Sequence, residues 1–442
     1  MASGEGAHTL HREVLRLAVP AFFTLIAEPL FLLADTAIIG HLGTTALAGL
    51  GVASTILLTA AGIFIFLAYG RTALVARHLG AGSRPTAIAA GLDGTWLALI
   101  LGVLAGALLA LAARPLSGLF GASPDALDQA VTYLRISAAG LPGMLVILAT
   151  TGVLRGLQDT RTPLVASVVG FSANIVLNVT LVYAAGLGIA GSALGTVLAQ
   201  TGMATALVAV VVRGARGIPL RPRPLRVLRA ARHGLPLLIR TLALRATLLT
   251  TTWVAAGLGD APLAAHQIAM TLWMFLGFAL DALAIAGQAL TGRALGAGDV
   301  AGVRAATSLM TRWGIGLGVV LGALVLATHT LLPVLFTADP AVRSPLAAAL
   351  IVVGLAQPLG GYAFVVDGVL MGADDGPWLA RAALLTYAAY LPLILGVHAL
   401  APAGQPERAL VALWVAFTGF MVIRALLLRH RVRSDGWLVT GT

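Results

Sequence analysis

The stretch PLFLLADTAIIGHLG, residues 29–43, sets one carboxylate, Asp35, in a run of Leu, Ile, Phe and Ala. A carboxylate near the middle of a bilayer costs about 2.5–3.5 kcal/mol on insertion scales, so it is expected to face a cavity or a partner. Desolvation favours the neutral form of such a group, which lets it take up and release a proton. Glu28 lies two helical turns earlier, about 10.5 Å along a helix and nominally on the same face. Pro20 and Pro29 flank it, and each removes a helical hydrogen bond; they are expected to bend the segment and leave carbonyl oxygens free near Asp35. In SANIVLNVTLVY, Asn174 and Asn178 stand at i and i+4, on one helix face. Asp35, Glu28, Asn174 and Asn178 form the expected cation-coupling set. The plainer alternatives are a carboxyl at a helix terminus, a packing role for Glu28, and amides that bond between helices.

A second set lies later in the chain. Asp281 and Asp367 are carboxylates inside apolar segments, and Arg240 and Arg245 in LLIRTLALRATLL could meet them, in a cavity, or extend toward the membrane surface. No two of the nine His make a metal-ligand pair such as HExxH, and there are no cysteines, so thiolate metal sites and disulfides are excluded. The glycines at 314, 316, 318 and 322 follow no strand and read as helix packing. Asp374-Asp375 is too short for a diphosphate–metal motif. No catalytic residue, metal or cofactor is expected.

The elements that position these residues follow from the solvent. Hydrophobic residues make up 59% of the 442, charged residues only 10%, and mean hydropathy is +0.96; soluble proteins carry about 25% charge. The net charge of +11 therefore reports topology and not a nucleic-acid partner. Twelve apolar segments of spanning length are expected, from residues 14–40 to 407–428. The first is too long for a cleaved signal and reads as a retained span. With the N-terminus in the cytoplasm, the inside connections hold Arg71, Arg77, Arg84, Arg155, Arg161, Arg293, Arg304 and Arg381, and the outside ones hold Arg114, Arg343 and Arg408. That asymmetry places both termini in the cytoplasm. The densest basic run, residues 213–234, reads as a linker lying against anionic headgroups.

Sliding the chain along itself by 216 residues aligns its halves. Residues 43–82 overlay 259–298 with 14 identities in 40, LSGLFGASP overlays LPVLFTADP, and GVLRGLQD overlays GVLMGADD. Six spans per half return the chain to the same side, so the repeat is parallel, with its pseudo-two-fold along the membrane normal. The expected fold is an all-α membrane protein of twelve helices in two lobes. Its divisions are a tail 1–13, an N-lobe 14–212, the linker 213–234, a C-lobe 235–428 and a tail 429–442. Two facing lobes would enclose a cavity able to open to either side, as in a transporter. The offset also separates scaffold from function: Asp35 falls on Thr251, Glu28 on Leu244, and Asn174 and Asn178 on Tyr390 and Ile394. The polar set belongs to the first lobe alone.

LADTAIIGHLGTTALAGLGVA, GVLRGLQDTRTPL followed by NIVLN, and LAAHQIAM with GQALTGRALGAGD occur in this order over nearly the whole chain. They resemble multidrug and toxic compound extrusion (MATE) transporters, in particular the DNA-damage-inducible protein F (DinF) branch. The resemblance implies a twelve-helix antiporter of the inner membrane that exports organic cations or amphiphiles in exchange for protons or sodium. It matches Asp35 to the family's first-helix carboxylate, Pro20 to the proline at its bend, and Asn174 to a helix-five asparagine. Asn178 stands where many members carry a second aspartate. A dehydrated sodium ion wants about five or six oxygens, whereas a proton needs one, so proton coupling is the simpler expectation and sodium the alternative. A lipid-linked oligosaccharide flippase of the same superfamily would need basic cavity residues, for which Arg240 and Arg245 are the candidates. A membrane-embedded transferase would need an acidic metal motif, which is absent from the sequence. Expected partners are lipid and small drug-like substrates, with no nucleic acid, and the chain is expected to act as a monomer. A reporter fused after Gly217 should read as cytoplasmic; an extracellular signal would reject the assigned topology.

Overall fold

The computed structural model describes residues 2–215, 217–400 and 404–441, with side chains from Thr9 onward. Met1 and Thr442 of the tails, Arg216 of the linker and residues 401–403 lie outside the described residues. The chain is helical almost throughout, and the described residues form no strand. The helices are α1 (Ala2–Gly40), α2 (Thr44–Phe64), α3 (Phe66–Gly80), α4 (Arg84–Gly118), α5 (Pro124–Ala138), α6 (Leu141–Gly156), α7 (Arg161–Val179) and α8 (Gly188–Arg213). After the linker come α9 (Pro224–Gly257), α10 (Asp260–Gly296), α11 (Val300–Thr328), the short α12 (Leu331–Phe336), α13 (Pro340–Gly372), α14 (Gly376–Leu400) and α15 (Pro406–Arg433). Among the described residues eleven helical spans are long and apolar enough to cross a membrane, and the pair α5–α6, bent by 52°, makes a twelfth. The chain divides into two compact units, Arg16–Leu235 and Pro236–Gly441, the latter joined by the residues up to Leu15.

The 216-residue offset reappears in the backbone. Helices begin at Thr44 and Asp260, at Arg84 and Val300, and at Pro124 and Pro340. The chain reversals use left-handed residues at matching places: Gly43 and Gly259 (φ 119° and 108°), Gly82 and Gly298 (78° and 76°), and Gln158 and Asp374 (67° and 63°). Ser123 caps α5 by accepting from the amide of Ala126, and its counterpart Asp339 caps α13 by accepting from that of Ala341. Packing repeats as well. A Cβ on Gly152 of α6 would run into the carbonyl oxygen of Ala68, and one on Gly156 into that of Thr72 at 2.7 Å; Gly368 and Gly372 of α13 meet the carbonyls of Ala284 and Gln288 in the same way. Lipid tails are as apolar as leucine, so close backbone approach at small residues is what holds such helices together.

The halves differ at the fourth span. In the first unit it breaks between α5 and α6 at Gly140, where a Cβ would meet Gln200 Oε1 of α8 at 2.6 Å. In the second, Ala356 occupies the equivalent position and α13 runs unbroken. Pro142 and Pro358 match across the repeat, so the proline alone does not set the break. α1 departs from expectation too: it stays one continuous helix through Pro20 and Pro29. Pro20 cannot donate to the carbonyl of Arg16, and the hydroxyl of Thr160 donates to it at 3.3 Å instead. The motif GLQDTRTPL thus has a structural content: Gln158 turns the chain, Asp159 accepts from the amides of Arg161 and Thr162 at the start of α7, and Thr160 seals α1. Overpacking costs about 1–3 kcal/mol. Gly152→Val and Gly368→Val should therefore each lower the detergent unfolding midpoint by similar amounts, and an effect confined to one half would break the packing equivalence.

Candidate functional site

Four helices of the first unit bring polar side chains together around Asp35. The carboxyl is 3% exposed although its neighbours on α1, Leu32 to Ala34 and Ala37 to Ile39, are all apolar. Its Oδ1 accepts from Asn178 Nδ2 of α7 at 2.8 Å and from Ser192 Oγ of α8 at 2.6 Å, and its Oδ2 accepts from Tyr133 of α5 at 3.2 Å. Asn174, one turn before Asn178, donates to Thr196 Oγ1 of α8 at 3.1 Å. All of these side chains are buried. A Cβ on Gly195 would collide with Asn178 Oδ1, so the glycine is what lets α8 close on the site. Just beyond Asn178 the helix widens into a π-turn, Thr180–Ala184, and Tyr183 donates to the carbonyl of Ile38 at 2.5 Å, fixing the last turn of α1.

The cluster has acceptor capacity to spare. Asn174 Oδ1 and Asn178 Oδ1 are buried with no hydrogen-bond partner. Buried polar atoms without partners are uncommon and mark places where a proton donor or a cation can add. Asp35 itself is held only by neutral donors, two hydroxyls and one amide. That arrangement satisfies an ionised carboxylate without a compensating side-chain cation.

Of the expected coupling set, Asp35, Asn174 and Asn178 are brought together. Glu28 is not: its side chain is exposed, and it makes no hydrogen bond or ion pair among the described residues. Tyr133, Ser192 and Thr196 were not anticipated. Each falls on a residue of different chemistry at the 216 offset: Ala349, Arg408 and Ala412. Comparing hydroxyls as well as acids and amides across the repeat would have found them.

The second unit answers with a different cluster. Asp367 of α13 is 4% exposed and pairs with Arg240 of α9 through both carboxylate oxygens and with Arg424 of α15 at 3.1 Å. Asp281 of α10 adds electrostatic attraction to Arg424, whose guanidinium lies 5.9 Å from the centre of the Phe364 ring. Arg245 is half-buried, and no ion pair holds it among the described residues. The first-unit counterparts of Arg240, Asp367 and Arg424 are Thr24, Thr151 and Val208. Where Asp35 would stand, Thr251 bonds Tyr390 at 2.7 Å, the counterpart of Asn174.

Two repeated six-span units with a private polar cluster in each define a duplicated multi-pass membrane protein, and its relatives make it a transporter and not an enzyme. Comparison with solved structures agrees on the fold: the MATE transporter VcmN of Vibrio cholerae, in its bent form, superposes with a TM-score of 0.87 at 24% identity, covering 98% of this chain and 99% of that one. The MatE family model matches residues 20–180 and again 236–396, the same 216-residue step. The chain belongs to the MatE family of multidrug and toxic compound efflux transporters. It is 31% identical to Protein DETOXIFICATION 43 of Arabidopsis thaliana, over 95% of this chain and 89% of that protein. It is 30% identical to DNA damage-inducible protein F of Escherichia coli, over 95% and 92%.

Removing one partner of a buried ion pair costs about 3–5 kcal/mol, because the other charge is left unmet. Asp367→Ala should therefore sharply reduce folded protein and its unfolding midpoint in detergent. Asp35→Asn, which faces only neutral donors, should leave both near wild type; equal losses would contradict the contrast between the two clusters.

Proposed function

We propose that this transporter is an antiporter of the cytoplasmic membrane, with both termini inside, that exports organic cations or amphiphiles in exchange for protons through Asp35. The observation that carries the reading is the composition of the Asp35 cluster: one carboxylate, buried, held by neutral donors, with an asparagine at 178. A single carboxylate without a fixed counter-cation can hold a proton or face a cationic substrate, but not both. The first form is neutral and tolerates apolar surroundings; the second is ionised and attracts the cation. Exchange follows from that competition. The names of the relatives, with their reference to detoxification, support export, and the arginine asymmetry supports the orientation. No cofactor enters the scheme, and the chain acts as a monomer.

A second reading, sodium coupling, is favoured by one observation: the unpartnered oxygens of Asn174 and Asn178 beside Asp35. Reorientation of the Asn178 amide would aim its oxygen at an ion held by the carboxylate. The flippase reading keeps only Arg245 of its two candidate arginines, because Arg240 is engaged by Asp367.

Proteoliposomes loaded with ethidium as the cationic probe should exchange it under an imposed pH gradient without sodium. Acidification protonates Asp35 and should weaken ethidium binding to the purified protein, while binding should release protons to the same degree. Asp35→Asn should flatten that pH dependence, and Thr251→Ala should retain most transport. A response to sodium alone, with no pH dependence, would transfer the coupling role to sodium.

A further inference from the structure

Away from both clusters, a cavity of about 420 Å³ opens in the second unit between the arginine-bearing ends of α11 and α15 and the Tyr362 and Val366 side of α13. Arg304, Arg312, Arg429 and Arg433 line it, with one carboxylate, Asp435. That carboxylate is taken by Arg304 at 2.7 Å, and Arg312, Arg429 and Arg433 make no ion pair among the described residues. Arg429 and Arg433 stand one turn apart on α15, where like charges repel. Between the arginines α11 presents the hydroxyls of Thr307, Ser308 and Thr311. Thr307 is 7% exposed, and its Oγ1 has no hydrogen-bond partner. A buried hydroxyl left unmet carries a desolvation penalty, and here it lines a cavity rimmed by unpaired guanidinium groups.

The related cavity of the first unit has a different charge balance, one carboxylate to three arginines against one to four. It lies in the equivalent place, between α4 and the segment that follows α8, with a volume of about 300 Å³, and Arg221, Arg223 and Arg226 line it. There Asp93 of α4 is drawn electrostatically to Arg226 and Arg223. The second-unit cavity has no carboxylate left for its three arginines.

We propose that the second-unit cavity binds a phosphate group, carried by an anionic lipid headgroup or by a soluble phosphate. Guanidinium groups match phosphate oxygens in pairs, and the Thr307 hydroxyl supplies a buried donor. The site shares no residue with Asp35 or Asp367 or their partners, so it stands or falls apart from the coupling scheme.

The test uses the purified full chain, delipidated in neutral detergent. In one arm, native mass spectrometry compares retained phosphatidylglycerol with phosphatidylcholine; in the other, inorganic phosphate is titrated against the thermal unfolding midpoint. Each arginine at a headgroup site contributes about 1 kcal/mol, so Arg429→Gln with Arg433→Gln should lower retention of one phosphatidylglycerol about tenfold or more. Thr307→Val, nearly the same shape, should weaken it without touching charge, and covers the case in which the double variant folds poorly. Arg221→Gln with Arg223→Gln, in the other cavity, should leave that lipid bound. Loss in the lipid arm alone identifies a headgroup, and loss of a phosphate-induced midpoint rise alone identifies a soluble source. Binding unchanged in both the double variant and Thr307→Val, or no preference for phosphatidylglycerol together with no phosphate response, would overturn the proposal.

Discussion

Inside a bilayer no water waits to hydrogen-bond a polar group, so each one must find its partner in the protein. Apolar side chains cannot by themselves say which helices meet, because lipid tails serve them equally well. The Asp35 carboxyl can. It draws donors from α5, α7 and α8 onto α1, and Gly195 removes the Cβ that would keep α8 away. Arg240, Asp367 and Arg424 tie α9, α13 and α15 in the same manner, with charge in place of neutral donors. The two solutions differ in consequence. A carboxyl among neutral donors can change its protonation without leaving a bare charge behind, whereas the arginine-bound Asp367 is committed to being an anion.

The scaffold was legible in the sequence because lipid imposes long apolar segments and because duplication wrote the scaffold twice. The offset of 216 residues, read from identities such as RHLGAG and RALGAG, reappears in turn dihedrals, helix starts and glycine–carbonyl contacts. Asp35, Asn174 and Asn178 were legible as exceptions to the copy. Tyr133 and Ser192 were not, since a hydroxyl in an apolar segment usually bonds its own helix, as Thr36 and Thr55 do. Arg424 was hidden by its place near a basic helix end, where arginine reports topology. Glu28 was placed by helical spacing alone: seven residues nearly repeat a face, but two turns carry it along α1 away from the donors that reach Asp35, and it is left exposed. At the break, Gly140 leaves room for Gln200 of α8, a contact between residues far apart in the chain.

Glycine seats that match pair for pair, Gly152 with Gly368 and Gly156 with Gly372, date the frame to before the halves diverged. A half-length ancestor working as a pair would have carried every substitution in both copies at once. An aspartate gained at position 35 would have arrived twice, and so would a buried arginine. Two copies in one chain are free of that constraint: one can take the neutral-donor site and the other the arginine-bound one. Heredity of a single long chain is what lets two copies of one helical frame hold two unlike chemistries.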